Sequence, residues 1–185
     1  MWKFIILQLI VSNILLRYLP VYTGLDIYRS CNCFLLCCRC IYYLACTTSI
    51  EYTLNTCLLY ISYTTTDLYY LLYFRYRRVE LIVHHIFTII AYIQLYITST
   101  FIHESFLAHI FLLAELLSIF NWLLRGTIIL KYWRILIIIT IRLPIWFYLH
   151  QTTNLLQHQL SQYLSKFASC FMPILDLYFL YKLIP

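Results

Sequence analysis

Two adjacent histidines, His84 and His85, lie inside an apolar run, RYRRVELIVHHIFTII (residues 75–90), just after three arginines. Imidazole exchanges a proton near neutral pH, so the pair points to general acid–base chemistry or to the grip on a polar head group. A purely greasy helix needs neither. In helical phase Glu80, His84 and Thr88 are spaced i, i+4, i+8 and share one face, so Glu80 is expected to accept a proton from His84 and fix its tautomer. His85 points about 100° away. The two therefore cannot act as identical ligands, and one is expected to do chemistry while its neighbour orients a partner.

Further ionisable groups interrupt other apolar runs: Arg39, Asp67, His109, Glu115, Arg142 and Asp176, with Asn121 adding an amide. Such groups are expensive in lipid and face a cavity or a bundle interior. Helical rise places His84 and His85 ~8 Å, and Asp67 roughly 10 Å, from the same end of their spans. Asn121 and Asp176 also lie near that end, whereas Glu115 and Arg142 lie deeper. One shared polar cavity is expected, rather than separate hydrogen bonds that only lock helix packing. Glu115 and Ser118 share a face, and Glu115 is expected to pair with Arg142 or Arg39. His103 and Glu104 fall at a span boundary, where polar residues need no special role.

The elements that must position these groups are helices. Hydrophobic residues make up 63% of the 185 residues and charged residues 11%, with a mean hydropathy of +0.81, which fits a chain whose outer surface faces lipid. With only two glycines and four prolines, long irregular loops are disfavoured. A membrane span needs about 20 apolar residues. Seven are read, at about 2–19, 29–47, 55–74, 79–97, 105–124, 132–149 and 163–182. The first lacks a cleavage site of the A-x-A type and is taken as an anchor. Arg17, Arg29, Arg75, Arg77, Arg78, Arg125, Lys131, Arg134 and Lys182 fall on one side, against Lys3 and Lys166 on the other. The positive-inside rule then puts the N-terminus in the lumen and the C-terminus in the cytosol.

Eight cysteines, five of them within 31–40, lack a second metal-spaced cluster and are read as small apolar side chains, with palmitoylation open for those nearest an interface. Six histidines form neither the HxxxH nor the HxxHH box of a di-iron membrane hydroxylase. No metal and no cofactor are expected. The net charge of +6 is loop charge, and no basic, glycine-rich or aromatic constellation calls for nucleic acid.

In order along the chain, YRS (28–30), ISYTTTDLYYLL (61–72), VHHIFTIIAY (83–92), LLAELLSIFNWLLR (112–125), IRLPIW (141–146) and LDLYFLYKL (175–183) resemble the motifs of the TLC domain. This is the membrane domain shared by translocation-associated, Lag-type ceramide synthase and CLN proteins. The resemblance implies an all-α integral membrane fold: a leading transmembrane helix and loop over residues 1–27, then a six-helix barrel around a lipid-sized cavity over residues 28–185. It also implies the endoplasmic reticulum. Asp67, the His84–His85 pair, Glu115, Asn121, Arg125 and Arg142 fall in register, while Asp176 stands where asparagine is usual. The chain lacks the downstream histidine–aspartate and paired-aspartate signature of ceramide synthases. Glu115, Ser118 and Asn121 occupy the comparable helix, as in the TLC-domain-containing subfamily.

Three functions are expected from this. In the first, the cavity holds an acyl lipid, with Asp67, Glu80, Thr88, Glu115, Ser118, Asn121, Arg142 and Asp176 lining it or binding the head group, in the service of membrane lipid homeostasis. In the second, His84 and His85 are catalytic, as general base or acyl carrier, in N-acyl transfer from acyl-CoA, a substrate, to a sphingoid base. In the third, the protein is a cargo or structural membrane protein. The expected partners are membrane lipid or an acyl chain, with a homodimer also open.

Overall fold

The computed structural model describes residues 2–46, 49–74, 79–98 and 102–183. Among these it is all-helical, with no strand. Helices α1 (Trp2–Tyr18), α2 (Val21–Cys46), α3 (Ile50–Tyr73) and α4 (Val79–Thr98) come first. Next, α5 (Ile102–Ile110) tightens into a 3₁₀ stretch, Phe111–Ser118. Helix α6 (Ile128–Ile137) passes through a π turn, Ile138–Arg142, into α7 (Leu143–Thr152) without leaving the helical path. Helix α8 (Gln159–Leu183) closes the chain. The result is seven rods that overlap the expected positions. Arg75, Arg77 and Arg78, counted in the charge asymmetry, lie outside the described residues.

One rod begins earlier than its composition predicts. The segment 21–28 was expected as loop, yet α2 starts at Val21, so the expected boundary at residue 28 falls inside a continuous helix. Pro20 sets the start, its carbonyl accepting the amide of Gly24 (2.9 Å). Gly24 is there because α1 passes close by: a Cβ would lie 3.3 Å from the Leu15 carbonyl oxygen. Ser49 opens α3, its side chain accepting the Tyr52 amide, and Thr127 opens α6 in the same way on Leu130. Gly126, at φ 75°, supplies the left-handed residue before that start.

Helix α3 is the central post. It touches α1, α2, α4 and α5, and buries residues on every side, from Thr53 and Cys57 to Tyr63, Asp67 and Leu71. Helix α1 packs on α2 and α3 through two buried polar contacts, Gln8 Nε2 to Asn32 Oδ1 (2.7 Å) and Ser12 Oγ to Tyr70 Oη (3.0 Å). The cysteines of α2 divide by helical phase: Cys33, Cys37 and Cys40 face the core, Cys31 and Cys38 face outward.

The outward faces are apolar on successive rods, for example Ile10, Phe34, Ile90, Ile139, Phe147 and Ile174. Among the described residues one helix, α4, is long and apolar enough to cross a bilayer, and Ile5–Tyr18 is a shorter apolar helix. Of the other long rods, α2, α3 and α8 carry polar side chains turned inward: Asn32 and Ser30 on α2, a ladder of threonines and Asp67 on α3, Asp176 on α8.

Two local departures from α geometry carry site residues. Pro144 cannot donate to the Thr140 carbonyl, and the chain answers with the π turn, in which the Leu143 amide reaches back to Ile138. Arg142 ends that turn facing inward. In the 3₁₀ stretch, outside side chains take backbone carbonyls: Cys37 on Leu112 (3.2 Å), Trp133 on Leu116 (3.1 Å) and Ser30 on Ser118 (3.1 Å).

Glu104 is a correction to the boundary reading. It is fully buried and holds the start of α8, its Oε1 accepting the amides of Gln157 (2.8 Å) and His158 (3.1 Å). Removing it strands two amides at the helix end dipole, so Glu104→Ala is expected to destabilise the protein by about 2 kcal/mol. A drop in thermal unfolding temperature in detergent checks this; an unchanged transition would mean the two amides find other partners.

Candidate functional site

At one end of the bundle the starts of α2 and α4, the 3₁₀ stretch, the α6–π-turn segment and the ends of α3 and α8 surround a polar cavity of about 340 Å³. Among the described residues six rods line it and α1 contributes no side chain. Its walls include Arg29, Asp67, His84, His85, Glu115 and Arg142. Below it, between α3, α4, the 3₁₀ stretch, α7 and α8, lies an apolar chamber of about 60 Å³ lined by residues such as Phe87, Thr88, Ala91, Phe111, Ala168 and Met172. His84 and Glu115 border both compartments.

Asp67 is the most enclosed charge in the cavity wall, at 0% exposure. Arg29 Nε lies 2.8 Å and 3.0 Å from its two oxygens, and His85 Nε2 lies 2.6 Å from Oδ2. A carboxylate held between two donors keeps its charge at the smallest desolvation cost. The hydrogen bond places a proton on Nε2 of His85, and its Nδ1 is buried with no hydrogen-bond partner among the described residues. Arg29 also approaches Asp26 (3.9 Å), which in turn pairs with Arg125 (3.0 Å).

Arg142 does not pair with Glu115, the partner expected from the sequence; it pairs with Asp176. Nε donates to Oδ2 (3.1 Å), Nη2 sits 2.9 Å from Oδ1, and Trp146 Nε1 adds a donor to Oδ2 at 2.8 Å. The π turn rotates Arg142 toward α8, and that rotation is invisible in a regular helical wheel. Arg39 is likewise not the partner of Glu115: it donates to Thr56 (2.8 Å) and to the Tyr52 carbonyl (3.2 Å), and lies over the Tyr52 ring. Glu115 instead accepts hydrogen bonds from the Tyr60 hydroxyl and the Cys33 thiol, the latter at 3.3 Å. The Tyr63 hydroxyl backs the same thiol (3.6 Å).

The two histidines divide as their phase predicts, but Glu80 plays a different part. Glu80 lies 3.5 Å from Lys182 and makes no hydrogen bond to His84. His84 has no hydrogen-bond partner among the described residues; its ring tilts against His85 (5.5 Å) and lines both compartments. His85 is therefore the anchored ring and His84 the open one.

Of the other expected site residues, Ser118 and Asn121 line the polar cavity, Asn121 accepting a hydrogen bond from Arg134 (2.9 Å). Thr88 lines the apolar chamber. Asp176 lines neither compartment and braces Arg142 from behind. His109 belongs to a separate cluster, stacked on Tyr43 at 3.7 Å. Sequence reading missed Arg29 as a site residue, and with it Tyr60, Cys33 and Trp146. Arg29 carried a signal, since a cation one turn inside a helix can reach a buried carboxylate; the other three carried none. Among the described residues no group of three His, Cys, Asp or Glu is placed to hold a metal ion.

The chain was compared with family models, curated proteins and solved structures, and none matches.

The Arg142–Asp176 pair gives a direct test. Arg142→Leu leaves a buried carboxylate unpaired and is expected to cost about 3–5 kcal/mol, while Arg142→Leu with Asp176→Leu regains much of that loss. Unfolding in detergent measures all three proteins. A single variant that melts like the parent would rule the pair out.

Proposed function

We propose that the chain is a seven-pass membrane protein that binds an acyl lipid, with the head group in the polar cavity and the first carbons of the tail in the apolar chamber. The observation that carries this reading is that His84 and Glu115 line both compartments. A polar cavity of about 340 Å³ falls in the size range of small-molecule sites, and it shares these two wall residues with an apolar one. An amphipathic molecule fits that sequence of surfaces; a wholly polar or wholly apolar ligand fits half of it. The seven membrane crossings are supported by the apolar outer faces. Their extent exceeds what a soluble monomer leaves in water, and the polar side chains are gathered inside.

The TLC-like motifs are consistent with that ligand class, with service in membrane lipid homeostasis, and with the endoplasmic reticulum, N-terminus in the lumen. The basic residues flanking the polar end support a cytosolic mouth for the cavity.

A second reading, N-acyl transfer from acyl-CoA to a sphingoid base, is favoured by one observation. His84 is open to the ligand beside an anchored Asp67–His85 pair, as a general base would be.

Lipid binding is read by native mass spectrometry of detergent-purified protein. Wild type is expected to carry acyl lipid. His84→Ala loses no protein hydrogen bond, so it should melt normally and hold several-fold less lipid. Ala91→Leu, which narrows the chamber, should do the same. Lipid-free wild type would overturn the reading. Long-chain acyl-CoA and a sphingoid base, with product read by mass spectrometry, separate the two roles. Product from wild type alone makes His84 catalytic; none from either protein leaves it a head-group contact.

A further inference from the structure

Helices α4 and α8 form the outer wall of the apolar chamber, and the seam between them is held unevenly. At one end Gln94 Nε2 reaches His158 Nδ1 (3.1 Å) and Ser161 Oγ (3.3 Å), with Thr98 3.5 Å from Ser161. At the other end Lys182 lies 3.5 Å from Glu80. Between Glu80 and Gln94, about 21 Å of α4, no hydrogen bond or ion pair crosses to α8 among the described residues.

Aromatic rings close that stretch. Phe87 meets Phe167 at 5.3 Å, and Phe167 stacks on Phe171 at 5.2 Å. Phe167 is 53% exposed on the outer surface, whereas Phe87 lines the chamber, so the rings run through the seam from outside to inside. In lipid, apolar contact between helices gains little over contact with acyl chains, so the polar ends hold the seam and the rings merely fill it. Pro173 stands two residues beyond Phe171, inside α8. It cannot donate to the Ser169 carbonyl, which makes this the point where α8 bends at least cost.

We propose that the seam between α4 and α8 is a lateral door by which an acyl chain passes between the bilayer and the apolar chamber, with Phe87, Phe167 and Phe171 as its leaf and Pro173 as its hinge. This rests on the lipid-binding reading above. It adds the route: the tail arrives sideways from the membrane while the head slides along the polar cavity.

The test uses the full chain in phosphatidylcholine vesicles, with exchange of anthroyloxy-labelled palmitate followed by stopped-flow fluorescence. Phe87→Cys with Phe167→Cys is made after the exposed Cys31, Cys38, Cys46 and Cys170 are changed to serine. Before cross-linking, exchange should be faster than in the parent; after a short bis-maleimide bridges the seam, it should fall at least tenfold while bound palmitate is retained. Phe167→Ala, which needs no cross-link, should accelerate exchange several-fold. Binding with rates unchanged by both manipulations would overturn the door and leave the lipid reading standing. No palmitate bound in any form would overturn the two together.

Discussion

Asp67 is the charge around which the rest of the bundle is arranged. A carboxylate with no exposed surface, in the middle post of an apolar-surfaced bundle, has to be neutralised where it stands. Arg29 supplies the opposite charge and His85 a hydrogen bond, from two different helices, so one carboxylate fixes the rotation of α2 and of α4 against α3. Once those rotations are set, the inward faces follow: Cys33 and Tyr63 fall together below Asp67, and His84 is turned into the cavity rather than against a partner. The Arg142–Asp176 pair does the same on the opposite wall, tying α8 to the turn before α7. The two pairs act as fixed points, and the apolar contacts fill in between them.

This division of labour explains why the cavity can be both polar and open. Each buried cation already has an acceptor in the wall, so the wall does not collapse inward to find one. Glu115 has only neutral donors, a phenol and a thiol, and His84 has none. Both side chains line the polar and the apolar compartments.

Much of the fold was legible in the sequence because apolar runs broken by few glycines and prolines favour helical rods, and the rods overlap their expected places, with α2 starting early at Val21, α3 at Ile50, and the fifth rod ending early at Ser118. Segment 21–28 hid because it holds Tyr22, Thr23, Gly24 and Asp26, a composition that reads as a turn. The expected shared cavity is lined by Asp67, His84, His85, Glu115, Asn121 and Arg142, whereas Asp176 stands behind it. The pairings were not legible. Which arginine meets which carboxylate depends on a fraction of a helical turn, and the π turn before Pro144 and the 3₁₀ stretch around Glu115 both shift that phase. Glu104 hid for another reason: a carboxylate near an element boundary looks solvated until the chain end it caps is seen folding over it.

The span of 38 residues between Arg29 and Asp67 has a consequence for biosynthesis. On the membrane reading, α3 emerges from the ribosome with a carboxylate that its own helix cannot neutralise, and its two partners lie on helices made before and after it. Releasing α3 alone into lipid would strand that charge. Helices α2 and α3, at least, must therefore leave the protein-conducting channel as a pair, and α4 completes the set when His85 arrives. On that reading, the same contacts that hold the finished cavity would set the order in which its walls can be handed to the bilayer.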